Sequence, residues 1–199
     1  MPERATGVTK TIMIKFEKVS RFANVDIPLP TRSTAQSAGY DFVVAEDITV
    51  YPYDFYKDKI NEKVMSNNPK SDFYGFINPL TLDDMANLTK ELKAKVPLVS
   101  TGMKVYLEPG QYLELSVRSS TPLKHWMILG NGVGIIDADY VDNPDNEGEI
   151  FFQIINLSPF AIKLKRGDRI GQGIIKTFVT TDDDAASGER VGGLGSTSN

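Results

Sequence analysis

The chain of 199 residues is long enough for one substantial core, and its 41% hydrophobic and 24% charged residues are those of an ordinary soluble globular domain. The absence of cysteine excludes disulfides, thiol catalysis and cysteine-ligated zinc, and a single histidine excludes a multi-histidine metal site. A formal charge of −4 argues against bulk attraction to nucleic acid but leaves room for a local basic pocket that holds phosphate.

From the N-terminus, residues 1–10 are polar and lack an apolar signal core, and no run approaches membrane-spanning length. A soluble, unexported, cytoplasmic protein without membrane contact is expected. Short apolar, β-branched runs separated by Gly, Pro, Asn and Asp clusters follow at 11–16, 48–51, 98–107, 112–117, 127–129, 150–156, 161–164 and 170–178. That spacing predicts an all-β sandwich or jelly roll rather than parallel α/β units. The stretch 53–95 interrupts it. Residues 53–78 are rich in Lys, Asn, Asp and aromatics with no clear period, whereas Leu82, Met85, Leu88 and Leu92 recur at helical spacing behind a start signal of Thr81, Asp83 and Asp84. One amphipathic helix of about three turns is predicted there. The C-terminal segment 180–199, with Asp182, Asp183 and Asp184 followed by glycines and serines, has too little apolar surface to order itself and predicts a mobile arm.

The run Gly134-Ile135-Ile136-Asp137-Ala138-Asp139-Tyr140 is the most informative. Its alternation suits a β-hairpin that exposes Asp137 and Tyr140 at a pocket while the Val and Ile side chains stay packed. A water-activating carboxylate beside an aromatic wall is what nucleotide hydrolysis requires. Taken alone, a hairpin Asp is more often a turn former. Four further motifs accompany it in order: Ala38-Gly39-Tyr40-Asp41-Phe42, Arg118-Ser119-Ser120, Arg166-Gly167-Asp168-Arg169-Ile170-Gly171-Gln172, and Arg190-Val191-Gly192-Gly193-Leu194-Gly195-Ser196-Thr197. Together the five resemble the motifs of the homotrimeric dUTP diphosphatases (dUTPases), from about residue 31 to residue 199.

That resemblance implies a distorted jelly-roll barrel over 1–179, carrying an insertion at about 53–95, and an arm, 180–199, that completes a neighbouring subunit's active site. It implies hydrolysis of dUTP to dUMP and pyrophosphate with Mg2+, in a homotrimer with three composite sites. Asp137 matches the general base that deprotonates the attacking water. Tyr140 matches the ring that lies against deoxyribose and leaves no room for a 2′-hydroxyl. Asn131 and the hairpin backbone at Gly134 match the uracil-recognition positions, an amide offering both donor and acceptor. Arg118, Ser119 and Gln172 match phosphate contacts, and Ser120 stands where the family commonly has Gly. Asp41 is placed near a hydrated metal and phosphate network, with a buried carboxylate paired to Arg as the equal alternative. Arg190, Gly193, Gly195, Ser196 and Thr197 match the phosphate-binding tail. Leu194 departs from the aromatic that stacks over uracil in most members, which predicts a weaker lid.

Several residues are assigned structural roles instead. Asp168 and Arg169 read as an internal ion pair and turn, His125 as structural, and Trp126 as core or trimer interface. The segment 141–147, with Asp142, Asp145 and Glu147, reads as an acidic solvated loop in preference to a metal site. Two rivals remain. A dCTP deaminase shares the fold and often has Arg-Ser-Ser, but places a catalytic Glu where this chain has Gln153, and a neutral amide cannot take up the proton that deamination requires. The other is a regulatory scaffold that binds a protein partner through 53–95; a helix packed on the barrel as surface embellishment is preferred. The insertions lean towards a phage-encoded protein acting in a host cytoplasm.

Overall fold

The computed structural model describes residues 13–67, 81–91 and 96–194. Twelve strands pair antiparallel: β1 (Lys15–Lys18), β2 (Thr31–Arg32), β3 (Tyr40–Val43), β4 (Ile48–Val50), β5 (Leu98–Ser100), β6 (Met103–Tyr106), β7 (Gln111–Val117), β8 (Met127–Leu129), β9 (Gly134–Asp137), β10 (Phe151–Asn156), β11 (Ile162–Leu164) and β12 (Arg169–Thr177). The largest sheet runs β2-β3-β12-β7-β9, and three small sheets, β5-β10-β8, β1-β6 and β11-β4, close around it. The result is the expected all-β, distorted jelly-roll barrel with a helix-containing insertion.

Period-two alternation supplies the core. Leu113 and Leu115 point inward from β7, and Phe152 and Ile154 from β10, all at most 1% exposed. The Phe42 ring lies 5.5 Å from Phe16, edge-on, and 5.8 Å from Phe152, and such aromatic pairs add cohesion beyond area burial. Gly171, inside the 166–172 motif, is part of this packing: a Cβ there would stand 2.1 Å from Phe152 Cε1.

Most predicted strands agree with the observed ones within a residue or so; β2 and β3 have no predicted counterpart, and three further differences stand out. The 98–107 run is two strands, broken at Gly102, which has φ +66° and lies against Phe22 and Ile27. The 11–16 run yields only β1, residues 11–12 lying outside the described residues. The third lies in the insertion, which holds two helices where one was predicted: α1 (Tyr53–Asn67) and α2 (Leu82–Glu91). For α2, Thr81 and Asp84 form the start by exchanging backbone N–H bonds to each other's side chains. Its apolar face is barely covered, since Leu82 is 90% exposed and no described residue of α2 is buried. Helix α1 carries no apolar stripe. Local pairs hold it instead: the Tyr51 and Phe55 rings stack at 4.8 Å, Lys59 sits 4.4 Å over Phe55, and Lys57 pairs with Asp54 at 3.6 Å.

A third helix, α3 (Ser120–His125), follows Arg118-Ser119 and ends at Trp126, whose φ of 54° makes it a left-handed cap. Trp126 is 64% exposed, so the core alternative for it is withdrawn. No helix among the described residues is long and apolar enough to cross a membrane.

Candidate active site

Strand β9 pairs with β7 so that Gly134 faces Leu115 and Asp137 faces Tyr112. Alternation turns Gly134 and Ile136 inward and leaves Ile135 and Asp137 outside. The Asp137 side chain is 53% exposed. It borders a cavity of about 600 Å³ walled by Leu107, Pro109, Phe178 and Arg190. After Asp137 the chain tightens into a 3₁₀ turn, Ala138–Tyr140, and the alternation stops. Tyr140 is therefore 4% exposed rather than presented at the pocket, and the expected exposure is corrected. Its hydroxyl donates to the Glu149 carbonyl at 3.0 Å and accepts from Asn146 Nδ2 at 2.8 Å. Burial pushes the phenol's pKa up, which keeps it a donor. The predicted β-hairpin is also not formed, since β9 pairs only with β7 while β10 pairs with β5 and β8. The run's Val and Ile stay packed only in part: Val133 is 48% and Ile135 52% exposed.

The arm lies along the end of β9 and the turn after it within the same chain. Arg190 Nη2 donates to Asp137 Oδ2 at 2.6 Å, and its Nε to Asp139 Oδ1 at 2.9 Å. Its guanidinium carbon stands 5.6 Å from the centre of the Tyr140 ring. The Gly193 N–H donates to Asp145 Oδ2 at 2.7 Å. Leu194 is 52% exposed. Gly195, Ser196 and Thr197 lie outside the described residues.

The remaining assigned residues gather at the opposite end of the sheet. On β12, Gln172 faces Asp41 across β3 and Ser116 across β7, and its Nε2 reaches Ser116 Oγ at 3.4 Å. Gly39 makes room for it, since a Cβ there would come within 2.4 Å of Gln172 Oε1. Asp41 accepts from Ser33 Oγ at 2.9 Å, with Arg118 Nε 3.3 Å and Arg169 Nη1 3.7 Å away, and is 15% exposed. The ion-pair reading of Arg169 thus has Asp41 as its partner. Asp168 forms the turn instead, accepting from the Lys165 N–H at 2.8 Å. Ser119 precedes α3 and Ser120 opens it, neither capping with its side chain. Asn131 sits in the turn before β9, at the end of that strand remote from Asp137, its carbonyl accepting from the Val133 N–H.

Asp137 faces Tyr112, and Arg118 lies six residues further along β7 and past its end. At about 3.4 Å per residue the two are roughly 20 Å apart. A single chain brings Asp137, Tyr140 and Arg190 together and, separately, Asp41, Arg118 and Gln172. It does not unite the two groups.

The acidic loop is not a metal cage. Asp142 pairs with Lys104 and accepts from Tyr106 Oη at 2.9 Å; partial burial opposes its ionisation, but those bonds hold its pKa below the ordinary carboxylate range. Glu147 accepts from the Ser20 hydroxyl and N–H, which lower its pKa. No group of three or more Asp, Glu or His among the described residues could hold a metal ion. Asp41, engaged by two arginines and a serine, does not fit a direct metal ligand. The partners of Arg190 and Gly193, Asp139 and Asp145, had no site role in the sequence reading. The Asp-Ala-Asp spacing at 137–139 was the available signal for the first.

Between the insertion and β10 lies a further cavity of about 250 Å³ lined by Tyr51, Tyr56, Met85, Val96 and Ile154.

The dUTPase family model matches residues 82–197. The deoxyuridine 5′-triphosphate nucleotidohydrolase of Lactococcus lactis is 33% identical over 184 residues, covering 92% of this chain and 95% of that protein. The enzyme of the same name from Zymomonas mobilis is 28% identical, covering 94% and 97%. Among solved structures, a dUTPase from Streptococcus mutans superposes with a TM-score of 0.61 at 31% identity, over 84% of this chain and 98% of that one. The dUTPase of the S. aureus phage phi11, at 15% identity and TM-score 0.54, covers 88% of this chain and 97% of that one and shares the fold. With a family match over more than half of its length and a relative one-third identical across nearly all of it, the chain belongs to the dUTPase family.

Proposed function

We propose that this protein hydrolyses dUTP to dUMP and pyrophosphate, as its nucleotidohydrolase relatives are named for doing. The observation that carries the reading is Asp137, an exposed carboxylate fixed at a strand end on the rim of an open cavity. In this reading Asp137 takes the proton from a water that attacks the α-phosphorus. The bond from that phosphorus to its bridging oxygen breaks, and pyrophosphate leaves. Arg190 must first release Asp137, because the carboxylate oxygen it holds at 2.6 Å is already engaged and must be freed to accept a hydrogen bond from the attacking water. Once released, Arg190 supplies charge to the phosphates, with Gly193 and the tail positions Gly195, Ser196 and Thr197, and uncovers the Tyr140 ring for the sugar. Arg118, Ser119, Ser120 and Gln172 form the second phosphate-facing group, and Asn131 with the Gly134 backbone faces uracil.

The distance between the two groups supports a composite site in a homotrimer, where the Asp137 group of one subunit meets the Arg118 and Gln172 group of another. Exposed Leu123, Trp126, Ile128, Val133 and Ile135, on consecutive elements, supply an apolar face for such assembly. Magnesium would arrive on the nucleotide, since it binds mainly through substrate phosphates and waters and needs no protein cage. Asp41 then acts through water and through Arg118. A phi11 relative of the same fold has been described with a structural Mg(II) ion. The cytoplasm is the compartment in which such chemistry would serve nucleotide pools.

The test is release of pyrophosphate and ammonia from dUTP, dCTP, dTTP and UTP with magnesium, in the parent and in Asp137→Asn. Pyrophosphate from dUTP alone, reduced at least about a hundredfold in the variant, is expected. Ammonia from dCTP would transfer the chain to the deaminases, against the neutral Gln153. Silence with every nucleotide would favour the partner-binding reading of 53–95.

A further inference from the structure

We propose that Asp139 and Asp145 are positioning residues that seat the C-terminal arm on the turn and loop after β9 in the place of substrate phosphate, so that nucleotide competes with them for the arm. The inference rests on the reading of the arm as phosphate-binding. Three carboxylates occupy groups that the arm would offer to phosphate: Asp137 accepts from Nη2 and Asp139 from Nε of Arg190, and Asp145 accepts from the Gly193 N–H. A carboxylate oxygen and a phosphate oxygen present the same charged acceptor to these donors.

The seat is built rather than incidental. Arg190 is only 10% exposed, whereas Asp137 and Asp139 are 53% and 59% exposed, so the guanidinium is sheltered and its partners face solvent. Asp145 stands on an ordered loop. Its N–H donates to Asn143 Oδ1, and buried Asn143 donates in turn to the Tyr140 carbonyl and to Asn146 Oδ1. Gly193 fits closely on that loop, where a Cβ would lie 3.1 Å from Asn146 Nδ2 and 3.3 Å from Asp145 Cβ. The 141–147 segment, the loop between the 3₁₀ turn and β10, thereby acquires a role that hydrolysis itself does not require. A state in which the arm is already occupied lowers the apparent affinity for nucleotide by the fraction of molecules left competent. Removing Asp145 raises that fraction.

Two readouts separate the seat from the activity. Limited trypsin digestion of the nucleotide-free protein reports arm opening at the Arg190–Val191 bond. Cleavage there should be several-fold faster in Asp145→Ala and in Asp139→Asn than in the parent. Titration with inorganic pyrophosphate by calorimetry, and KM for dUTP, report the competition. Both constants should fall about threefold to tenfold in Asp145→Ala, with kcat within twofold of the parent. Unchanged cleavage in both variants, or a pyrophosphate Kd or KM that rises, would overturn the proposal. Faster cleavage and tighter pyrophosphate in a protein that hydrolyses no dUTP would uphold the seat and remove the activity reading instead.

Discussion

The two ends of the five-stranded sheet are built on different principles. At the end where β12 begins, Asp41, Arg118, Arg169 and Gln172 stand on strands or within one residue of one, tied by ion pairs and backed by Phe42 and Phe152. At the β9 end, Asp137 stands on the last residue of a strand, and its partners come from a 3₁₀ turn, an extended loop and the arm. The first end is fixed before any ligand arrives. The second is held by contacts between surface carboxylates and one guanidinium, which a phosphate can replace. A binding platform gains from the first arrangement, and a site that must close and reopen gains from the second.

The roughly 20 Å between the ends is the feature most open to attack. If the sites are composite, Asp137→Asn and Arg118→Ala subunits, each inactive alone, should complement when unfolded together and reassembled. In random trimers from an equal mixture, half of the Asp137 groups and half of the Arg118 groups are intact, so about a quarter of the sites are whole. Recovery of about a quarter of parental dUTP hydrolysis is expected. No recovery, with mixed trimers demonstrated by mass spectrometry, would mean that each chain completes its own site by a large rearrangement.

A glycine exchange sharpens the contrast in stability. Gly171→Ala places a methyl against the fully buried Phe152 ring at the rigid end and should cost about 1–3 kcal/mol, lowering Tm by several degrees. Gly193→Ala meets only loop atoms at 3.1 Å or more, and its Tm should stay within about 1 °C of the parent. Equal losses in the two variants, by scanning calorimetry, would show that the arm belongs to the cooperative core.

This difference also explains what the sequence disclosed. Strands β7, β10 and β12 were legible because burial imposes alternation, as in Leu113 and Leu115 or Phe152 and Ile154. The two-residue exposed β2 and the four-residue β3, with only Phe42 buried, carry too little alternation to be read. Tyr140 was misplaced because the alternation was carried past Asp137, where the chain turns 3₁₀ and swings the ring inward. Helix α1 was missed because it has no apolar face to give a period, its cohesion coming from local aromatic and charged pairs. The seat of Arg190 on Asp137 and Asp139 joins residues some fifty positions apart through side chains alone, and no local pattern announces such a pair.

The smallest effect concerns Leu194, at the tip of the described arm. The resemblance implies a uracil-stacking aromatic at this position, where a half-exposed leucine stands here. Stacking adds about 1 kcal/mol beyond burial, equivalent to roughly fivefold in an equilibrium constant. Leu194→Phe should therefore raise kcat/KM for dUTP by up to about fivefold without changing Tm, since the side chain is not part of the core. The gain should persist when Asp145→Ala is added, because stacking acts on the nucleotide-bound arm and the carboxylate seat on the free one. A Leu194→Phe variant with parental kcat/KM would mean that the arm closes through Arg190 and its glycine backbone, with the residue at 194 bystanding.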